Sequence, residues 1–202
     1  MSRARRTDMQ GDPDVYHVIF RITLPGPPFK AVGREIFFVE ILGFSPMGNH
    51  FHRLDRILPE DRFTDEALVK RLHHHYGEDF HRTERRISIY YKEKLTSLAN
   101  FMKEVKQAFP VYYNRCHKRK GGLWGERFKS VMVENGETLI NYLADVDLHP
   151  VRAELVKKPE DYRWNSMGRH TPTGDADNFR STDFRAREFG EKNEIERIRL
   201  YR

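Results

Sequence analysis

The chain has little of what marks a secreted or membrane-embedded protein. Its 202 residues include one cysteine, Cys116, so no internal disulfide can form. No stretch approaches the roughly 18 consecutive apolar residues that a transmembrane helix needs. The basic start, MSRARR, is followed by no apolar run of the kind found in secretory signals. We therefore expect a reducing, cytoplasmic setting and no membrane partner.

The residues that are present suit one folded domain with polar appendages. Charged residues make up 33% of the chain, but 14 Phe, 9 Tyr and 2 Trp supply large side chains for a core, which argues against disorder. We expect a flexible basic arm over residues 1–14, a domain over 15–170 and a polar tail over 171–202. Within the domain, the highly charged segment at about 59–96 is predicted to be a helical insertion.

Positive charge is concentrated in one part of the chain. The whole chain carries a net charge of +6, and residues 103–129 alone account for the same excess. Such a density suits phosphate binding, although a solvated helix face gives the same composition. The candidate DNA-binding residues are therefore those that supply this charge, namely Lys103, Lys106, Arg115, Lys118, Arg119, Lys120, Arg127 and Lys129.

Periodicity predicts alternating strands and helices. Strands rich in β-branched and aromatic residues are predicted at 15–22, 39–44 and 50–57, with a strand or hairpin arm at 123–133. Apolar residues at spacings of three and four predict helices from Thr64 to Leu72, from Ser97 to about Lys118, and from Gly136 to about Leu148. Pro110 is expected to kink or split the second helix, and Pro150 to end the third.

His50-Phe51-His52 is the sharpest local motif. Residues i and i+2 of a strand project from the same face, so the two imidazoles would stand roughly 6–7 Å apart at the backbone. That arrangement suits two ligands of one divalent ion. A bare His-X-His is common, however, and taken alone it is better explained by two half-exposed strand histidines.

The surrounding sequence resembles one family. The segment 43–52, GFSPMGNHFH, resembles the motif of HUH single-strand DNA transposases, in the REP-associated and insertion-sequence branch. Residues 100–133 are similar to the family's helix and its "LW..RFKS" strand, and residues 146–168 to its "NPVRA…PEDYRWSS" closure. Tyr16-His17-Val18 matches the opening strand. The resemblance implies an α+β protein with a ferredoxin-like (RRM-like) antiparallel sheet and helices on one face.

The resemblance also implies a chemistry. Family members hold a divalent metal, Mg or Mn, on the histidine pair, here His50 and His52, which would be the metal ligands. The metal polarises a phosphate of single-stranded DNA beside a hairpin, and a tyrosine attacks it to give a covalent phosphotyrosine link. The implied function is DNA transposition by strand cleavage and transfer, that is, an endonuclease activity. The implied partner is single-stranded or hairpin DNA, and the protein would be a monomer or homodimer.

The chain departs from the family at the nucleophile. Counting back from Pro150, the tyrosine position is occupied by Asp145, and the usual asparagine before the proline is His149. Three interpretations stay open: a transposase fold that retains DNA binding alone, replacement of the nucleophile by Tyr142, or a remodelled metal site. Tyr142 lies one turn, ~5 Å, from Asp145 along the helix. In the third interpretation Asp145 and His149, spaced i and i+4, both face the histidine pair.

Two other features depart from the family pattern or leave the function open. Arg53 and Asp55 follow the histidine pair where the family prefers apolar residues, which would weaken the buried face of the strand.

The enzyme could be a strand transferase or a metal-dependent phosphodiesterase without a covalent intermediate. The alternative is a non-catalytic DNA-binding module derived from a transposase. Tyr112, Tyr113 and Trp124 are candidate base-stacking residues, although Tyr112 and Trp124 are better explained as core.

Overall fold

The computed structural model describes residues 13–21, 37–77 and 84–173. They form four strands, which are β1 (Asp14–Arg21), β2 (Val39–Pro46), β3 (His50–Ile57) and β4 (Lys129–Val133). The helices are α1 (Asp65–Tyr76), α2 (Glu84–Leu95), α3 (Leu98–Cys116), α4 (Glu137–Arg152) and α5 (Ser166–Thr173). The strands make one sheet in the order β2-β3-β1-β4, with every neighbouring pair antiparallel. The predicted α+β class and ferredoxin-like sheet are confirmed.

Described helices cover both faces of the sheet, whereas the sequence predicted helices on one face. Alternate residues of β1 and β3 point to opposite sides. Val18 and Phe51 pack against α1, α2 and α3 in one core cluster, and Val15 and Leu54 pack against α4 in a second. Because both faces of the two central strands carry apolar residues, each face needs a covering layer.

β3 carries a buried ion pair on the face covered by α3. Arg53 donates from Nε and Nη2 to Asp55 Oδ2, at 2.9 and 2.6 Å, and both side chains are almost fully buried. The Arg53 guanidinium also lies 4.9 Å from the ring centroid of Phe101 and contacts Met102 Sδ at 3.0 Å. These two charges, which the sequence suggested would weaken the strand, are therefore matched to each other inside the core.

Pro110 does not split α3, contrary to the prediction. A proline at this position leaves the carbonyl of Lys106, four residues earlier, without its helical donor. The indole Nε1 of Trp124 donates to that carbonyl at 2.7 Å. A tertiary hydrogen bond thus replaces the missing one, and the helix continues unbroken to Cys116. The same hydrogen bond holds Trp124 against the core, in the loop that precedes β4. Of the predicted segment 123–133, only residues 129–133 form a strand.

Pro150 does not end α4 where the sequence predicted. The proline is buried, and α4 continues to Arg152. The helix then closes with a bond from the Ala153 N–H to the carbonyl of His149, and Glu154 adopts a φ of 56°. Packing of the proline against the core outweighs the one backbone bond that it removes, so His149 lies inside the helix rather than after it.

The charged segment at 59–96 contains α1 and α2, with Thr64 as the N-cap of α1: its hydroxyl accepts from the N–H of Ala67 at 3.2 Å. Residues 1–12 of the predicted N-terminal arm (1–14), the segment 22–36 and residues 174–202 of the predicted tail (171–202) lie outside the described residues. Asp14 begins β1, and α5 extends to Thr173. Among the helices that the structure describes, none is long and apolar enough to cross a membrane.

Candidate metal centre and nucleic-acid cleft

Three histidines from two elements converge on one point. His50 and His52 project from the same face of β3, and His149 approaches them from α4. One ring nitrogen from each lies within 4.8 Å of the others. The Nε2 atoms of His50 and His149 are 3.2 Å apart, and the ring centroids of His52 and His149 are 4.2 Å apart. The cluster therefore joins the predicted histidine pair to His149.

Two neighbours fix how the imidazoles are turned. Asn49 Oδ1 accepts from His50 Nδ1 at 2.6 Å, which leaves His50 Nε2 with its lone pair toward the cluster. His17, on β1, places its Nε2 3.0 Å from His52 Nδ1, and the two rings stack at 5.2 Å. The remaining nitrogen of His52 is thereby left for the centre of the cluster. His17 is a fourth histidine of the site, and no role for it was predicted from the sequence.

Burial keeps these imidazoles neutral near pH 7. Desolvation is the main cause that lowers the pKa of His52 to about 3, and the nearby rings of His149, His17 and His50 add to it. Burial, followed by the charge of His149, also lowers the pKa of His17 and His50, with Arg21 contributing for His50. Burial alone lowers the pKa of His149. Neutral imidazole is the form that binds a metal, so the cluster needs little deprotonation before an ion enters.

The residues present fit a divalent metal. Three nitrogen donors from rigid elements, each in its neutral form, match the number of protein ligands in many catalytic metal sites. His50, His52 and His149 are each only partly buried, so an ion held by them would be accessible from solvent. In chemical terms such a site neutralises and polarises an anionic oxygen.

α4 brings only part of the predicted set to the cluster. Tyr142 and His149 are seven residues apart and share one side of the helix. Tyr142 packs edge-on against His17, with ring centroids 5.3 Å apart. Asp145 instead forms an ion pair with Arg152 and is absent from the group of metal-binding candidates among the described residues. The structure thus places His149 beside the histidine pair and Tyr142 against His17, and it turns the Asp145 carboxylate toward Arg152.

A cleft of about 370 Å³ opens beside the cluster. His50 and His52 line one side, and Arg21, Arg127 and Lys129 contribute positive charge. Glu126 also lines the cleft and contributes one negative charge, 3.8 Å from the Arg21 guanidinium. Lys129 pairs with Ile19 in the register of β1 and β4, so it shares the sheet face of the histidines. A phosphate in this cleft would meet cations and the metal-binding residues together.

The predicted basic stretch is divided between two faces of the molecule. Arg127 and Lys129 line the cleft, but Lys103, Lys106 and Arg115 belong to α3, which covers the opposite face of the sheet. Lys106 donates to the carbonyl of Glu126 at 2.9 Å and lies over the ring of Trp124. The others, Lys118, Arg119 and Lys120, are exposed after the end of α3. Their role in DNA binding stays a prediction.

The aromatic candidates also separate. Trp124 packs against the core, as expected. Tyr112 is 47% exposed on α3, so the core interpretation of this residue is wrong. Tyr113 stacks on His117, with ring centroids 3.9 Å apart. None of the three lines the cleft.

The closing segment holds α4 in place. Tyr162 donates its hydroxyl to the carbonyl of Pro46 at 2.7 Å, next to the turn before β3. Asn165 Nδ2 donates to the carbonyl of Asp147 at 3.0 Å, and Ser166 Oγ lies 2.6 Å from Asp147 Oδ1. Ser166 Oγ also accepts from the N–H of Phe44 in β2, at 3.0 Å. These buried bonds tie α4 to the sheet and so set the distance from His149 to the histidine pair.

Sequence reasoning missed three residues of the site. Asn49 was visible as the neighbour of His50 in the motif. His17 and Arg21 share the i, i+2 alternation of β1, but their proximity to His52 and the cleft depends on the register between β1 and β3. That register is a long-range property with no local sequence signal.

Comparisons with known proteins establish the fold and leave the family open. No protein-family model matches the sequence, and no curated protein matches it. Among solved structures, the chain is similar to a REP-associated tyrosine transposase bound to a REP hairpin. The two share 14% sequence identity with a TM-score of 0.52, over 86% of this chain and 87% of the other. At that identity the likeness shows a common fold.

Proposed function

We propose that this protein binds single-stranded DNA beside a hairpin and cleaves one strand with a divalent ion held by His50, His52 and His149. The observation that carries the proposal is the convergence of three neutral imidazoles at the edge of a cleft lined by Arg21, Arg127 and Lys129. The likeness to a transposase bound to a DNA hairpin supports DNA as the ligand.

The residues in and beside the cleft would have different roles. Arg127 and Lys129 would attract the DNA backbone, since cation–phosphate contacts supply most of the affinity for a single strand. An ion on the three histidines would supply positive charge against a phosphate oxygen at the scissile position. His17 and Asn49 would hold the ligand rings in orientation, because each contacts the outer nitrogen of one ligand.

Tyr142 is the candidate nucleophile. Asp145, at the family's tyrosine position, pairs with Arg152, and a carboxylate there forms no phosphotyrosine. The ring of Tyr142 contacts His17, which contacts His52, so it is the described tyrosine next to the cluster. Attack by its hydroxyl oxygen would form a bond to phosphorus and break the bond to the departing 3′ oxygen. The proton that the phenol releases would balance the one that the 3′ oxygen takes up, which leaves a phosphotyrosine and a free 3′ hydroxyl.

A second candidate function has its own support. The Asp145–Arg152 ion pair occupies the place of the family nucleophile, which favours a protein that retains hairpin binding without covalent chemistry. Hydrolysis by water at the same site is the third outcome.

The test uses a hairpin DNA with a single-stranded flank and a different label at each end. It is incubated with the full chain and Mg²⁺, Mn²⁺ or Zn²⁺, and analysed on denaturing protein and sequencing gels. The proposal predicts cut DNA that disappears in His50→Ala and His52→Ala. A covalent adduct lost in Tyr142→Phe identifies the nucleophile, and cut DNA without an adduct identifies hydrolysis.

Binding without cutting under every metal would overturn the enzymatic proposal and leave the binding module. Asp145→Tyr is the matched gain-of-function variant. If the fold still accepts the family geometry, this variant should form an adduct even where the natural chain forms none. An Asp145→Asn variant removes the ion pair without adding a nucleophile and serves as its control.

A further inference from the structure

The donor set of the histidine cluster differs from the one that the implied metal prefers. Mg²⁺ is held by oxygen ligands and retains several waters, and Mn²⁺ also suits oxygen donors, whereas imidazole suits Zn²⁺ and its later transition-metal neighbours. The group found among the described residues consists of three histidines and contains no carboxylate. The nearest acidic candidate on α4, Asp145, is paired with Arg152.

The orientation of the rings suits a small tetrahedral ion. Asn49 holds Nδ1 of His50 and His17 contacts Nδ1 of His52, so the Nε2 atoms are the ones left to face the centre. Zinc–nitrogen bonds of about 2.0–2.1 Å at tetrahedral angles put neighbouring donor nitrogens ~3.3 Å apart. His50 Nε2 and His149 Nε2 are already 3.2 Å apart. The ligand atom of His52 lies within 4.8 Å of both, so it could serve as the third nitrogen donor.

His149 is the residue that makes the difference. With asparagine at this position, as the family resemblance implies, the third donor would be an amide oxygen and the set would be mixed. In this chain the third donor is an imidazole carried by a helix that Asn165 and Ser166 anchor to the sheet. The position is therefore rigid, and the donor atom that it offers to a metal is a nitrogen.

We infer that His149 converts the site into a tri-histidine centre selective for Zn²⁺ over Mn²⁺ and Mg²⁺. The inference rests on the metal site of the proposed function but requires no DNA cleavage. Most nitrogen-donor sites bind Zn²⁺ more tightly than Mn²⁺, following the general order of affinities for divalent metals. Stronger binding of Zn²⁺ alone therefore does not test the role of His149. The informative quantity is the part of the Zn²⁺/Mn²⁺ selectivity that depends on residue 149.

The experiment measures metal binding to the full chain without DNA. Metal-stripped protein is titrated with Zn²⁺, Mn²⁺ and Mg²⁺ by calorimetry, and with Co²⁺ by visible absorption. The wild type should bind one Zn²⁺ and give the intense visible bands of tetrahedral Co²⁺. In His149→Asn the ratio of Zn²⁺ to Mn²⁺ affinity should fall at least about tenfold, and the Co²⁺ bands should weaken as coordination becomes octahedral.

His117→Ala is the matched control, because His117 is an exposed histidine at the end of α3, outside the cluster. It should leave both the ratio and the spectrum unchanged. The inference is overturned if His149→Asn keeps the wild-type ratio, if wild-type Co²⁺ is octahedral, or if His117→Ala abolishes the binding. The wild-type Co²⁺ spectrum decides the matter even if His149→Asn fails to fold.

The two proposals fail separately. A protein that binds Zn²⁺ through His149 and never cuts DNA retains the tri-histidine site and loses the enzymatic function. A protein that cuts DNA with Mg²⁺ or Mn²⁺ and shows no selectivity change in His149→Asn keeps the function and loses the zinc inference.

Discussion

The buried Arg53–Asp55 pair makes a sharp test of how this sheet is stabilised. The two side chains are 1% and 0% exposed and contact each other on the face of β3 opposite the histidines. Removing one partner of a buried pair leaves an uncompensated charge in the core, which costs roughly 3–5 kcal/mol. For a chain of this size, that corresponds to a fall in Tm of about 6–20 °C.

The two single variants should differ. An arginine cannot give up its proton in a protein, so Asp55→Leu leaves a positive charge under α3. In Arg53→Met the remaining carboxyl can become neutral by taking a proton. Burial already raises the pKa of Asp55, against the opposing effect of Arg53, so neutralisation is favoured once the guanidinium is gone. We therefore expect Asp55→Leu to lower the free energy of unfolding more than Arg53→Met.

The pH dependence of Arg53→Met has a defined sign. A carboxyl whose folded pKa is raised contributes stability below its unfolded pKa, near 3.9, and loses that contribution as pH rises through the folded value. Relative to wild type, Arg53→Met should therefore be least destabilised in acid and most destabilised near pH 7. Urea unfolding at several pH values, followed by circular dichroism, measures this.

The double variant completes the cycle. Arg53→Met with Asp55→Leu removes both charges and should be neutral, or more stable than wild type by up to ~4 kcal/mol, because hydrophobic residues replace a desolvated pair. The ion pair of Lys92 with the exposed Asp65 carboxylate is the control, and Asp65→Ala should change stability by no more than about 1 kcal/mol. If the double variant loses as much stability as the two single variants combined, the charges are not coupled and the argument is wrong.

Three further predictions concern the cleft, the closing segment and the histidines. Replacing Arg127 and Lys129 with alanine should reduce the slope of log K against log salt for single-stranded DNA by about 1.4, at ~0.7 per phosphate contact, in a filter-binding assay. The same change at Arg115 should have little effect, and the proposed position of the DNA is wrong if the two results are reversed. Gly168→Ala should destabilise the protein by roughly 1–3 kcal/mol in thermal unfolding, since the new Cβ would overlap a backbone carbonyl, whereas the open position Gly122 should tolerate alanine. In the metal-free protein, the lowered histidine pKa values, about 3 for His52, should make stability fall as pH drops from 6.5 toward 3, because the unfolded chain takes up protons first. A flat stability profile over that window would contradict the buried, neutral cluster.

Local sequence signals were sufficient to predict the positions of β1, β2 and β3 and the start of α3. Periodicity and alternation located β3 to the residue and β1 and β2 to within one or two. Ser97 was correctly expected at the start of α3, where its hydroxyl accepts from the N–H of Asn100. Caps, turns and alternation act over a few residues, so one sequence contains enough information to predict them.

Both proline predictions failed for a tertiary reason. The rule that proline ends a helix assumes that the carbonyl left without its donor stays unsatisfied. In α3, Trp124 satisfies that carbonyl from a loop 18 residues away, a bond no local rule contains. In α4, burial of Pro150 holds the helix together to Arg152. A proline therefore ends a helix only where no tertiary contact compensates for the hydrogen bond that it removes.

The candidate site shows the same division between local and long-range information. Alternation placed His50 and His52 on one face, and helical spacing left open, as one of three interpretations, that His149 and Asp145 both face them. The helix phase admits either residue, since positions i and i+4 differ by only about 40° around the axis. Arg152 lies seven residues after Asp145 on the same side of the helix and forms an ion pair with its carboxylate.

The three donor histidines of the site come from β3 and α4, and His17 on β1 orients one of them. The arrangement of the site therefore depends on the β1–β3 register and on the bonds from Asn165 and Ser166 that hold α4. A change far from the histidines in sequence, at the closing segment, should consequently loosen the metal site before it unfolds the sheet. This follows because α4 is the layer that carries His149, whereas β3 is held on both sides by its neighbours.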